Sequence, residues 1–163
     1  MDALTALRTR RSIRRYQNRP VPREALETIV DCGRLAATAR GVQPWAFVVV
    51  TDPAMRARLA EICEYGKFLA GAPAAIVVLC EDTKYYLEDG CNATQNMLVA
   101  ATALGLGSCW VAGDKKPYAG EIHRLVGAPD GDKLIAIVAI GYPDEQPSPS
   151  KRPLEDVIHW ESF

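Results

Sequence analysis

From Cys91 to Gly113 the chain carries no charged side chain. A run of that length either crosses a membrane or lies deep in a folded core. Asn92, Thr94, Gln95 and Asn96 are polar, and Gly105 and Gly107 interrupt any helix. A lipid-facing span would leave such groups without partners, so we read no membrane segment here. The pattern predicts a helix from about Lys84 to Leu104, apolar almost all round in its second half, then a strand over Ser108 to Ala112. A chain of 163 residues rarely needs one helix buried on every side. Either the helix packs wholly within one chain, or a second copy covers it, and we take the second, a homodimer.

The other elements follow from local signals. A short helix is expected over Asp2 to Thr9, and a second from Pro22 or Arg23 to about Ala36, with Leu26, Ile29, Val30 and Gly33 on one face. Trp45 to Thr51 reads as a strand. Asp52-Pro53 supplies a cap and a favourable first helical position for a helix over Ala54 to Cys63. Ala74 to Cys80 and Lys133 to Ile140 read as buried strands, and Pro117 to Val126 as a helix. The tail from Pro147 ends in Val157, Ile158, Trp160 and Phe163. That is too apolar for a free end, so it docks within the chain or extends as an arm onto a partner.

Composition narrows the class. Hydrophobic residues make up 48% and charged residues 24% of the chain, as in ordinary water-soluble proteins. We expect one domain over residues 1–163. The start is basic and lacks an apolar run, which does not read as a signal peptide. Five scattered cysteines without a Cys-x-x-Cys pair, and only two histidines, point to reduced thiols in a cytoplasmic protein rather than a disulfide frame or metal centre.

Charge is distributed unevenly. Arg8 to Arg19 holds six arginines and no acid, although the formal net charge of the chain is only -1. Arginine's rigid fork of donors matches phosphate, and Ser12 adds a hydroxyl. A solvated face is the bland alternative. A nucleic-acid arm is another, disfavoured because the remainder of the chain is acidic. Gly105-Leu106-Gly107 is no dinucleotide fingerprint, since a helix precedes it and Trp110 stands at the third glycine's place. No P-loop, nucleophile elbow or His-Glu-x-x-His is present. A phosphate site without a nucleophile or metal suggests a bound cofactor that performs the chemistry.

Five segments taken together resemble the FMN-dependent nitroreductase family. They are Arg10-Arg11-Ser12-Ile13-Arg14-Arg15-Tyr16; Ala36 to Phe47 with its Gln43-Pro44-Trp45; Gln95-Asn96 with Leu104 to Trp110; Ile140-Gly141-Tyr142-Pro143; and Lys151-Arg152-Pro153-Leu154. The resemblance spans essentially the whole chain. It implies an α+β fold, with a central, mostly antiparallel sheet flanked by helices. It also implies an intertwined homodimer with the C-terminal arm exchanged and FMN at the subunit interface.

By the same resemblance, Arg10, Arg11 and Ser12 hold phosphate and ribityl oxygens. Arg14 lies near the ring edge where negative charge develops on reduction, and Lys151 and Arg152 return to the phosphate. Thr38, Ala39, Arg40 and Gly41 of the other subunit cover the flavin. Gly41 stands where an Asn is usual, which removes an amide contact. Backbone N–H groups near Ala112 and Gly113 approach the flavin N5, and no side chain acts as an obligatory acid. Tyr85, Tyr86 and Tyr118 either line the substrate face or pack. Trp45 and Cys109 are read as structural.

The implied activity is ping-pong hydride transfer from NADH or NADPH to FMN, then reduction of nitroaromatics, quinones or similar conjugated acceptors. The short link before the long helix predicts an open mouth and loose acceptor selectivity. The rival readings are an FMN carrier or regulatory protein with little turnover, and a nucleic-acid-binding protein.

Overall fold

The computed structural model describes residues 1–163. Four strands, β1 (Trp45–Val50), β2 (Ala74–Cys80), β3 (Gly107–Ala112) and β4 (Lys133–Gly141), form one sheet in the order β1-β2-β4-β3, every neighbouring pair antiparallel. The helices are α1 (Ala3–Thr9), α2 (Arg23–Arg34), α3 (Pro53–Ile62), α4 (Tyr86–Ala103) and α5 (Ala119–Val126). The expected α+β class with a mostly antiparallel sheet is the one observed.

β2 and β4 are central and apolar at nearly every position because both faces of the sheet are covered. On one face Ile76, Val78, Val138 and Ile140 pack with Leu26 and Ile29 of α2 and Met97, Leu98 and Ala101 of α4. On the other, Val77, Leu79, Ile137 and Ala139 pack with Leu59 of α3, Leu69 and Ile122 of α5. Each of these buried side chains of Val size or larger contributes about 1.5–3 kcal/mol relative to exposure. Asp2 caps α1, its carboxylate accepting from Thr5 N at 3.1 Å. Asp52 caps α3, accepting from Met55 N at 2.7 Å.

For two elements the within-chain alternative is not what a single chain shows. α4 is not screened all round within one chain: Asn92 in its first half, and Gln95 and Asn96 in its second, are exposed. Two of these amides have work to do, since Asn96 Nδ2 donates to Cys32 O at 3.0 Å and Asn92 Nδ2 to Ala37 O at 3.2 Å. Asn96 satisfies a carbonyl in the last turn of α2, and Asn92 one in the loop just beyond that helix. The tail does not fold back on its own chain. Residues 151–163 are all exposed, Trp160 at 79%. No helix is long and apolar enough to cross a membrane. All five cysteines are free.

Candidate functional site

The arginine-rich segment leaves α1 as an extended strand along the free edge of β3. Ile13 N donates to Ser108 O at 2.9 Å, and Gln17 N to Tyr142 O at 2.9 Å. Extended backbone alternates its side chains, which puts Arg10, Ser12 and Arg14 on one side and Ile13 on the other. Ile13 is buried at 7% exposure against Gly107, where any Cβ would come within 2.7 Å of it. This apolar peg holds the three polar residues to the sheet edge.

Arg10, Arg11, Ser12 and Arg14 line an open cavity of about 530 Å³, closed on its far side by Pro147, Ser148, Pro149 and Lys151. Its lining holds four cations, two hydroxyls and no acid. Arg11 divides its allegiance: its Nη1 donates to Arg8 O at 2.9 Å and Arg10 O at 2.7 Å, completing the end of α1.

Arg14 also borders a second cavity of about 390 Å³, together with Tyr65, Phe68, Cys109, Trp110, Val111, Ala112, Lys116 and Tyr118. This is an apolar slot floored by β3. Phe68 lies 5.9 Å from the Arg14 guanidinium carbon, near enough for a cation–π attraction. A larger groove of about 610 Å³ between α2 and β1 lies away from the basic cluster.

At the slot, the two backbone donors expected from the sequence part company. Gly113 N donates to Ile135 O at 3.0 Å, so its N–H is spent inside the sheet. Its lack of a side chain accommodates Leu134, whose Cγ would stand 2.5 Å from a Cβ. Antiparallel strands alternate inward and outward pairs, so the Ala112 N–H points to the open edge. The Ala112 carbonyl beside it accepts from the Tyr118 hydroxyl. Burial pushes the Cys109 thiol above its ordinary pKa, with Arg14 and Ser12 opposing in part. At 2% exposure Cys109 packs in the floor of the slot, and burial disfavours its thiolate.

Other expected residues lie elsewhere. Arg152 is turned away from the cavity, its Nη2 donating to Asp156 O at 2.6 Å. Ala39, Arg40 and Gly41 form a short 3-10 turn preceded by Thr38, and they meet Lys84, Tyr85 and Asp89 at the start of α4 rather than the lining of the arginine cavity. The buried Asp89 holds this turn, accepting from Thr38 Oγ1 at 2.7 Å and Ala39 N at 3.0 Å. Arg40 and Gln43 take left-handed φ values of 57° and 53°. Tyr118 enters the slot. Tyr86 instead donates to Asp114 Oδ1 at 2.9 Å, which raises its pKa. Tyr85 flanks the Arg40 turn. Trp45 packs against the core, and Pro44 beside it is buried.

Sequence reasoning missed Ser148, Asp89 and Glu145. The alternation Arg10-x-Ser12-x-Arg14 around an apolar Ile13 was a legible sign of the cradle's face. Asp89 and Glu145 each follow another acid in sequence, Glu88 and Asp144, with no local sign of their partners.

Comparison with known proteins identifies this arrangement. The Nitroreductase family model matches residues 7–89 and 63–142. The chain belongs to the nitroreductase family. A relative from Methanothermobacter thermautotrophicus, provisionally named an NADH dehydrogenase/NAD(P)H nitroreductase, is 36% identical over all of this chain and 88% of its own length. An FMN-dependent nitroreductase from Clostridium difficile superposes with a TM-score of 0.92 at 30% identity, covering 98% of this chain and 99% of that one. A provisionally assigned nitroreductase from Desulfovibrio desulfuricans, solved in complex with FMN, gives 0.88 at 32% identity, covering 100% and 98%.

The cavities pass a chemical test for FMN, the cofactor of such nitroreductases. A pocket rich in cations and hydroxyls suits a phosphate and a polyol chain. An adjoining apolar slot with one outward N–H suits a flat conjugated ring.

Proposed function

We propose that this nitroreductase is an FMN oxidoreductase that oxidises NADH or NADPH and reduces conjugated acceptors such as nitroaromatics or quinones, the two substrates taking turns at one face. Residues 1–163 act as a single FMN-binding unit within a homodimer. The observation that carries this reading is Arg14, shared by the four-cation cavity and the apolar slot. Such a shared cation matches one ligand with an anionic end and a flat end. The relatives' names support the nicotinamide donor.

FMN, when bound, supplies the hydride and electron chemistry. The chain supplies the rest. Arg10, Ser12 and Lys151, with Ser148, anchor the phosphate and neighbouring oxygens. Arg14 offers a fixed positive charge beside the ring, where negative charge gathers on reduction, without reorganisation of water. The Ala112 N–H offers a donor at the sheet edge. Phe68, Trp110 and Tyr118 exclude water from the slot. We assign Arg11 chiefly to the helix end, and Gly113 to sheet packing.

The dimer completes the site. The Thr38–Gly41 turn lines a different cavity from the arginine cluster of its own chain, and in this reading a second copy brings it to the site. The exposed tail, with Leu154, Val157 and Trp160, crosses to the partner. The groove beside edge strand β1, floored by Val21, Leu26, Val30 and Val49, is a matching receptor. Only residues 81–85 separate β2 from α4, so no inserted helix covers the mouth and acceptor selectivity is loose.

The test is an anaerobic one. Protein reconstituted with FMN should show an oxidised-flavin absorption spectrum that bleaches on addition of NADH or NADPH and returns on addition of a quinone. A spectrum that persists with both donors refutes the enzyme and favours a carrier.

A further inference from the structure

Glu145 sits just past β4, in a segment zipped to the arginine strand. Asp144 N donates to Arg15 O at 3.0 Å there. The Glu145 Oε1 atom accepts from two successive backbone donors, Arg14 N at 2.5 Å and Arg15 N at 3.1 Å, while Oε2 lies 3.4 Å from Arg15 Nε. Its side chain is only 21% exposed, against 73% for Arg15. The carboxylate thus grips the backbone of Arg14, while the Arg14 guanidinium forms no ion pair and remains available to both cavities.

We propose that Glu145 is a positioning residue. It clamps the Arg14–Arg15 backbone so that the Arg14 guanidinium stands at the junction of the cation-lined cavity and the apolar slot. This inference rests on the reading of those cavities as an FMN site.

Two physical effects of Glu145 oppose each other, which makes the idea decidable. As a clamp it strengthens FMN binding by holding Arg14 in place. As an anion beside a basic cavity it weakens FMN binding by repulsion. Glu145→Gln keeps an acceptor oxygen at the same reach and removes the charge. Glu145→Asp keeps the charge and is one carbon too short to reach both N–H groups.

The experiment measures FMN dissociation constants by quenching of flavin fluorescence, at one salt concentration, for wild type and both variants. Thermal unfolding of the flavin-free proteins checks that each is folded. Glu145→Gln should stay within about threefold of wild type. Glu145→Asp should bind about tenfold more weakly, the usual scale for losing a group that orients a ligand-binding residue. An Asp variant at wild-type affinity, or a Gln variant that departs from wild type by clearly more than about threefold in either direction, overturns the proposal. Wild-type protein that takes up no FMN instead removes the functional reading beneath it.

Discussion

Gly107→Ala should damage the site without touching it. A Cβ at position 107 would stand 2.7, 2.8 and 2.9 Å from Ile13 Cγ1, Cβ and Cγ2, and ordinary contact begins near 3.4 Å. These are atoms of a β-branched side chain with no flexible end to swing away. Ile13 must therefore retreat by about 0.7 Å, carrying Ser12 and Arg14 with it. Overpacking of this kind costs about 1–3 kcal/mol, or roughly 3–10 °C in Tm for a chain of this size. FMN affinity should fall by about tenfold, the equivalent of about 1.4 kcal/mol. The assay is urea unfolding and flavin fluorescence on Gly107→Ala, Ile13→Ala and the double variant. Ile13→Ala alone costs about 2–4 kcal/mol. It also removes two of the three clashing atoms, so the double variant should lose at least about 1 kcal/mol less than the sum of the single losses. Additive losses, or Gly107→Ala at wild-type stability and affinity, refute the peg.

Asp89→Ala leaves the Thr38 hydroxyl and Ala39 N–H without their acceptor. It should cost about 1–3 kcal/mol in denaturant unfolding, and turnover should fall as the left-handed turn loosens. Removing residues 153–163 keeps Lys151 but deletes the exposed apolar arm, so sedimentation should show a dimer weakened towards monomer; an unaltered dimer argues against arm exchange. Burial pushes the Cys63 thiol up to about 11 and the Cys80 thiol up to about 12. Their raised values mean that the folded state keeps protons which the unfolded chain has already lost. Stability from this source is complete below the ordinary thiol pKa of 9.0 and declines as pH rises towards about 11. Cys63→Ala should flatten the fall in Tm across that interval, and an unchanged slope contradicts the assignment.

The sheet was legible because its strands advertise themselves. Ala74 to Cys80 is an apolar β-branched run bounded by Pro73, and its observed limits agree with the reading. The basic cradle was legible for a different reason. Arginines cluster in sequence where the chain runs extended, so their spacing survives into space. The surroundings of α4 were read less well, because Asn92 and Asn96 answer carbonyls at and just beyond the end of α2, more than fifty residues away. Gly113 misled for a similar reason, since the neighbour that requires a small residue there is Leu134. Glu145 lies some 130 residues from the N–H groups it accepts. No local pattern could announce it.

The claim on which the account turns is that the arginine strand and Lys151 hold a phosphate. The direct measurement compares dissociation constants of FMN and riboflavin, which differ only by that group, in wild type and in Arg10→Ala. Charge-assisted hydrogen bonds are worth about 1.5–3 kcal/mol each, so wild type should prefer FMN by about a hundredfold or more. Arg10→Ala should cut that preference by about tenfold or more while changing riboflavin affinity much less. Equal affinity of wild type for both flavins would contradict the account.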